Sequence, residues 1–333
     1  MTSLNKLAII GATGNVGRKI IQLIIEREKI DPSRLRLFSS SRSAGQAFPI
    51  ENKHYTVEDL AGYDFKDCQL AIFATDSTIS KNYVPQALAA GAKVIDSSSA
   101  YRLDPKVPLV VPPVNAELIT PQQSLIATAN CVACPIAVVL KPLHEQAQVK
   151  RALVSTYQST SGAGKGAMDE LYQQTQSVYF SASYPNKHFS RRIAFNVIPQ
   201  IDHFSEDGFS YEEIKIAQEV QKLISPKLKI AATSVRVPVM IGHSISLAAE
   251  FSKTIHLDEI KTLLAHSPGI QLSSQDYTTP LEAEGSDAVF VGRIRRDPTV
   301  DNGVLLWLVS DNLRRGAALD AVEIAEKMLS VLQ

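Results

Sequence analysis

The stretch Lys6-Leu-Ala-Ile-Ile10-Gly11-Ala-Thr-Gly14-Asn-Val-Gly17 decides the fold. A short apolar run enters a turn with glycines at 11, 14 and 17. A helical pattern then runs from Asn15 to about Glu28, with Val16, Ile20, Leu23 and Ile24 on one face. Strand, glycine turn and helix in that order form the setting of a dinucleotide fingerprint. Glycines tighten the turn and let the backbone approach a pyrophosphate, which rests on the helix N-terminus. The spacing is G-x-x-G-x-x-G, and a plain glycine-rich turn is the other reading of these residues.

The alternation continues outward. Strand-like runs recur at Leu35–Phe38, Gln69–Ala74, Lys93–Ile95 and Leu125–Thr128, with a helix-like segment at Ser77–Ala90. Such alternation predicts βαβ units around a parallel sheet. After about Cys131 the runs lengthen and become more β-branched, at Ala152–Gln158, Ala231–Val239, Ser244–Phe251, Ala288–Ile294 and Val304–Ser310. Helical stretches near Lys165–Ser177, Tyr211–Leu223 and Leu257–His266 intervene. The expected fold class is α/β, a Rossmann domain plus an α+β catalytic and dimerisation domain with a mostly antiparallel sheet. The expected domains are residues 1–130, completed by a C-terminal helix in 313–333, and residues 131–312.

The chain has 333 residues, which suggests about two domains. Its 34 basic residues balance 34 acidic ones, so no basic excess selects a nucleic acid or a membrane surface. Three cysteines, Cys68, Cys131 and Cys134, cannot form a disulfide framework. Met1–Lys6 shows no charged-then-apolar leader, and no apolar run approaches the ~20 residues of a membrane span. A reducing, cytoplasmic setting is the expectation.

The segment after the second strand, Ser39-Ser-Ser-Arg42-Ser43, carries no carboxylate. An arginine among hydroxyls suits a ribose 2′-phosphate, which favours NADP; a solvated loop arginine is the alternative. Asn130-Cys131 lies between a strand-like run and a helix-like one. A cysteine there gains from the helix dipole and becomes a thiolate nucleophile, unless it is a small buried core residue. Cys131-Val-Ala-Cys134 has redox or metal spacing, yet no second cysteine pair or close histidine pair completes a metal site. Among seven histidines His243 stands out. It follows Arg236 in one strand-turn segment, where a carboxylate clamp and a proton carrier would lie together.

These pieces in order resemble aspartate-β-semialdehyde dehydrogenase of the bacterial type, over essentially the whole chain. The resemblance rests on Gly11–Gly17, Ser41–Gly45, Asp104–Pro112, Asn130-Cys131, Ser155–Gly164, Ala194–Asp202, Arg236–Ser244, Val291–Arg295 and Ser310–Leu313. It implies NADPH-dependent reductive dephosphorylation of β-aspartyl phosphate to aspartate semialdehyde through a cysteine thioester. That reaction feeds lysine, threonine, methionine and diaminopimelate synthesis. A thiolate attacks an acyl phosphate readily, and a thioester accepts hydride better than a carboxylate does.

The resemblance also assigns roles. Cys131 is the nucleophile, His243 the acid/base, and Gln158 the residue orienting the acyl group or the attacking species. Arg236 holds the substrate α-carboxylate and Glu212 its ammonium; Arg102 and Lys215 bind phosphate, and Asn130 sits beside them in the substrate site. Gly11, Thr13, Gly14, Asn15, Val16, Arg42, Ser43, Ser161, Gly162 and Asn312 contact NADP. No metal is implied, and the partners are a small-molecule substrate and further copies of the chain, as a homodimer or homotetramer. A related acyl-phosphate reductase of the N-acetylglutamyl-phosphate type and a non-catalytic paralogue are the alternatives. Three departures stand out: Val132-Ala133 where hydroxyl residues are usual, Asp76 where a small residue is usual, and Pro113 in place of a glutamate.

Overall fold

The computed structural model describes residues 6–50, 53–180 and 184–331. The leader reading at Met1–Asn5 and the end of the expected tail helix at Leu332 lie outside them. The chain divides into two compact units, residues 1–129 with 317–333, and residues 130–316.

The first unit opens with β1 (Lys6–Ile10), α1 (Asn15–Arg27), β2 (Leu35–Ser39), β3 (Ala47–Ile50), β4 (Lys53–Asp59) and β5 (Cys68–Phe73). It continues with α2 (Ser77–Ala89), β6 (Lys93–Asp96), β7 (Leu109–Val110), α3 (Pro112–Asn115) and β8 (Leu125–Thr128). The sheet order is β3-β4-β2-β1-β5-β6-β8-β7. All pairings are parallel except β3 with β4. A parallel sheet covered on both faces needs strands apolar on both sides. Leu7, Ala8, Ile9 and Ile10 are accordingly all fully buried. β1 is flanked by β2 on one side and β5 on the other, so strand order reverses beside its carboxyl end. Ligands of open α/β sheets bind at such a switch point. The β3–β4 hairpin was not legible in the sequence, because its residues are mostly polar or exposed.

The second unit contains α4 (Ala133–Ala147), β9 (Val149–Gln158), α5 (Lys165–Tyr179), α6 (Tyr211–Leu223), β10 (Lys229–Arg236) and β11 (His243–Phe251). α7 (Leu257–Ala265), β12 (Ile270–Leu272), α8 (Pro280–Ala283), β13 (Val289–Arg296) and β14 (Gly303–Ser310) follow. The sheet order is β10-β9-β11-β14-β13-β12. The three central pairings are antiparallel and the two outer ones parallel. Along β9 the residues alternate. Ala152, Val154, Thr156 and Gln158 are buried, while Leu153 and Tyr157 are exposed. This period of two marks a sheet with one covered face.

A π-helical turn at Arg314–Ala318 leads into α9 (Leu319–Val331). α9 shares a core with α1, and Arg27 holds Glu326 through two hydrogen bonds of 2.7 and 2.9 Å.

Close approach explains Gly17 in α1. A Cβ there would collide with the Gly11 carbonyl oxygen and stand 2.8 Å from the Ala12 Cα. Both neighbours are backbone, which cannot swing aside. Gly17→Ala should therefore cost about 1–3 kcal/mol by overpacking. Urea unfolding followed by circular dichroism checks this; a midpoint equal to that of the natural chain would contradict it.

Candidate active site

Sheet register gathers the chemistry in the second unit. Gln158 and Arg236 end β9 and β10, and they are direct register partners. His243 begins β11 opposite Ser310, the last residue of β14. One end of the sheet therefore presents an amide, a guanidinium and an imidazole. Their residues are nearly buried, at 2%, 6% and 0% exposure respectively.

Cys131 meets this end of the sheet from the turn before α4. Its Sγ lies 3.4 Å from His243 Nε2. The helix starts at Ala133 with Val132 at the cap, so Cys131 stands just outside the first turn. Val132 has no side chain to cap with, and Asn130 does that work. Its Oδ1 accepts from Val132 N at 2.8 Å and from Ala133 N at 3.3 Å. Its Nδ2 donates to both Glu212 oxygens, and its backbone N–H donates to Glu219 Oε2 at 2.6 Å. Its carbonyl accepts from Cys134 N at 2.9 Å. Asn130 thus fixes the backbone around Cys131.

Glu212 also accepts from Gln158 Nε2 at 3.2 Å, while Thr156 Oγ1 donates to Gln158 Oε1 at 2.9 Å. A carboxylate offers about four lone-pair sites, so Glu212 keeps capacity for a substrate ammonium. Arg236 Nη1 donates to the Ser159 carbonyl at 2.7 Å. Burial lowers the pKa of this guanidinium from its ordinary value, and attraction to Cys131 and Glu212 opposes that. A Cβ on Gly162 would stand 3.2–3.3 Å from Arg236 Nη1 and from His243 Cε1 and Nε2, so the site's wall is glycine backbone.

Ser161 and Asn312 were expected to contact the cofactor. Their side chains lie in a buried network: Asn312 Oδ1 accepts from Gly242 N, Ser159 Oγ and Ser161 Oγ. Lys215, expected at phosphate, points to Asp202 Oδ2 at 2.6 Å. Arg102 belongs to the first unit, where its Nη2 donates to the Ser97 carbonyl at 2.8 Å. Cys134 is wholly buried within α4, as a core residue. Sequence reasoning missed Ser159, Glu219 and Gly316. Ser159 N–H donates to His243 Nδ1 at 3.0 Å. Gly316 has φ +89°, and a Cβ there would stand 2.7 Å from the Cys131 Cα.

The first unit carries a cleft of about 490 Å³ at the carboxyl end of β1, lined among others by Gly11, Ser39–Arg42, Thr75 and Asp76. Gly11 has φ +86°, and a Cβ there would collide with the Ala74 carbonyl oxygen. Thr13 Oγ1 pairs with Ser39 Oγ at 2.8 Å, tying the glycine turn to the end of β2. Arg42 is exposed at the rim and makes no ion pair among the described residues. Gly14, Asn15 and Val16 continue the turn into α1, and Ser43 N bonds back to Ser40 O. Asp59 and Asp76 both line this cleft, yet each spends an oxygen on a helix start. Asp76 Oδ1 accepts from Thr78 N and Ile79 N, and Asp59 Oδ1 from Ala61 N. A glycine-walled cleft with hydroxyls and an arginine at its rim fits a dinucleotide phosphate.

Comparison with known proteins decides the family. The NAD binding domain of semialdehyde dehydrogenases matches residues 6–122, and their dimerisation domain matches residues 140–315. Aspartate-semialdehyde dehydrogenase of Rickettsia conorii is 43% identical, with 99% of each chain covered. That of Bacillus subtilis is 39% identical over 97% of this chain and 96% of its own. The chain belongs to the aspartate-semialdehyde dehydrogenase family. A solved structure of aspartate semialdehyde dehydrogenase II from Vibrio cholerae superposes with a TM-score of 0.94 at 38% identity, covering 98% of both chains. Members of this family are oxidoreductases, and the Rossmann unit described above is their nucleotide-binding part.

Within this family member, burial first and the charge of Arg236 second push the His243 pKa down from 6.5 to about 3. The unfolded chain takes up that proton near pH 6.5, whereas the fold resists it. This contribution to stability is therefore complete above about pH 6.5 and is lost as pH falls toward 3. His243→Gln removes the titration, so its acid-unfolding midpoint should lie at lower pH than that of the natural chain. Circular dichroism across an acid titration measures it, and an unchanged midpoint would contradict the assignment.

Proposed function

We propose that this chain catalyses the NADP-dependent interconversion of β-aspartyl phosphate and aspartate semialdehyde through a thioester on Cys131. The observation that carries this reading is the 3.4 Å pairing of Cys131 Sγ with His243 Nε2 beside the buried Arg236. The sulfur attacks the acyl carbon and phosphate leaves. When bound, NADPH supplies the hydride that reduces the acyl carbon. His243 moves the proton at Nε2. Arg236 grips the α-carboxylate, for which a guanidinium fork is suited. Glu212 receives the ammonium, and Gln158 orients the acyl oxygen. Lys215 and Arg102 serve phosphate, Lys215 by exchanging Asp202 for it. The glycine turn and Arg42 hold the dinucleotide.

A carboxylate on Arg236 would also offset the repulsion that keeps His243 uncharged. Substrate binding thereby readies the imidazole for proton transfer. A free ammonium partner such as Glu212 favours aspartyl over N-acetylated substrates.

Assembly as a homodimer across the open face of the second sheet fits the exposure of Leu153 and Tyr157 there. Among the described residues no helix is long and apolar enough to cross a membrane. The need for a free thiolate favours a reducing compartment such as the cytoplasm.

The test is phosphate-dependent reduction of NADP by L-aspartate semialdehyde, with N-acetylglutamate semialdehyde as the comparison substrate. Cys131→Ala should lose at least about 10³-fold in kcat, as expected when a covalent nucleophile is removed. Equal activity of that variant, or preference for the N-acetylated aldehyde, would refute the reading.

A further inference from the structure

His243 Nδ1 faces two groups of one residue. The Ser159 backbone N–H lies 3.0 Å away and the Ser159 hydroxyl 3.1 Å away. The two make opposite demands. A backbone N–H can only donate, so it requires a bare Nδ1 and leaves the ring proton on Nε2. With that proton in place, Nε2 cannot accept from Cys131. A hydroxyl can donate or accept, and it has a second place for its own proton. Asn312 Oδ1 lies 3.1 Å from Ser159 Oγ, and Asn312 is oriented by Gly242 N–H, which donates to Oδ1 at 2.9 Å. Ser161 Oγ lies 3.1 Å from Asn312 Oδ1, 3.0 Å from Asn312 Nδ2 and 3.0 Å from Ser159 Oγ, and so shares this network.

We propose that the Ser159 hydroxyl is the positioning group that lets His243 exchange protons with Cys131. It accepts the Nδ1–H and turns its own proton to Asn312 Oδ1. In that arrangement Nε2 is bare and takes the Cys131 proton: the S–H bond breaks and an Nε2–H bond forms. The Nδ1 proton stays on the ring, held by Ser159. The charged ring later gives the Nε2 proton to the oxygen that develops on the acyl carbon, and Nε2 takes it back as C=O re-forms and the C–S bond breaks, which frees the aldehyde and the Cys131 sulfur. In the competing arrangement the Ser159 N–H holds a bare Nδ1, and Nε2–H only donates to the sulfur.

The charged and titratable groups facing the imidazole are Cys131 from the turn before α4 and Arg236 from β10, with Glu212 of α6 acting on Arg236. None of them offers Nδ1 an acceptor; the wholly buried Ser159 hydroxyl does, and the Gly242 backbone also hydrogen-bonds the ring.

This inference rests on the catalytic reading above, and the test separates the two. Nitrogen-15 spectra of the full-length protein labelled at histidine report where the His243 proton sits, without any turnover. The natural chain should show both ring forms in exchange. Ser159→Ala, which keeps the backbone N–H, should show only the Nε2–H form, and Ser159→Thr should restore the mixture. Equal spectra for the natural chain and Ser159→Ala would overturn the proposal whether or not the protein is active.

In the aldehyde assay Ser159→Ala should lose about tenfold or more in kcat, the low end of what acid/base groups supply, with KM within about threefold. Iodoacetamide should alkylate its Cys131 more slowly by a similar factor, because the bare Nε2 that takes the thiol proton is lost, and Ser159→Thr should restore the rate. Alkylation at the natural rate in Ser159→Ala would also overturn the proposal. An inactive natural chain with the expected spectra would instead count against the catalytic reading alone.

Discussion

Asn130 is the residue on which the site depends, because each of its polar groups is spent. Its amide oxygen starts α4, its amide nitrogen meets Glu212, its N–H meets Glu219 and its carbonyl meets Cys134. Glu212 and Glu219 are seven residues apart, two turns along one face of α6. The helix therefore grips the strand-to-helix turn at two points and sets the backbone of Cys131 in one place. A buried amide with an unmade bond would cost about 1–3 kcal/mol, so the turn has little freedom to drift. The Cys131 sulfur inherits that precision, which a reacting group needs because misplacement by about 1 Å can cost a hundredfold in rate.

Much of this was legible in the sequence, for stated physical reasons. Parallel strands buried on both faces read as unbroken apolar runs, so Lys6–Ile10 and its neighbours announced the first sheet. Glycines at 11 and 17 announced a turn that no Cβ can enter. Cys131, His243 and Arg236 could be singled out from the sequence because few side chains can attack, carry a proton or fork a carboxylate, and the structure brings the three together. The β3–β4 hairpin was not legible, since an exposed edge needs no apolar pattern. Its end brings Asp59 into the nucleotide cleft, where the sequence after β2 gave no hint of a carboxylate.

Positioning residues were the least legible class. Ser159, Glu219 and Gly316 act through burial and hydrogen-bond geometry, which residue type does not encode. Lys215 illustrates the converse. Its type and helix position suit a phosphate ligand, yet in the structure an ion pair with Asp202 occupies it. Asp76 is similar in the opposite sense. A carboxylate in a phosphate cleft looks adverse by charge alone. Its oxygen is committed to two N–H groups at the start of α2, where the helix dipole stabilises negative charge.

Gly316 carries the same logic to the other end of the second unit. Asn130 and Gly316 are the first and last residues of that unit, and both bear on Cys131. Asn130 holds it by hydrogen bonds. Gly316 holds it by the absence of a side chain, in a left-handed backbone conformation that glycine adopts without penalty. The π-helical turn that contains it is an uncommon form, and such turns concentrate at functional sites. The unusual backbone here has a direct use: it lets the departing chain pass against the backbone of Cys131. Cys131 thus lies beside both points where the chain enters and leaves its unit. A single local constraint at each point suffices to place it.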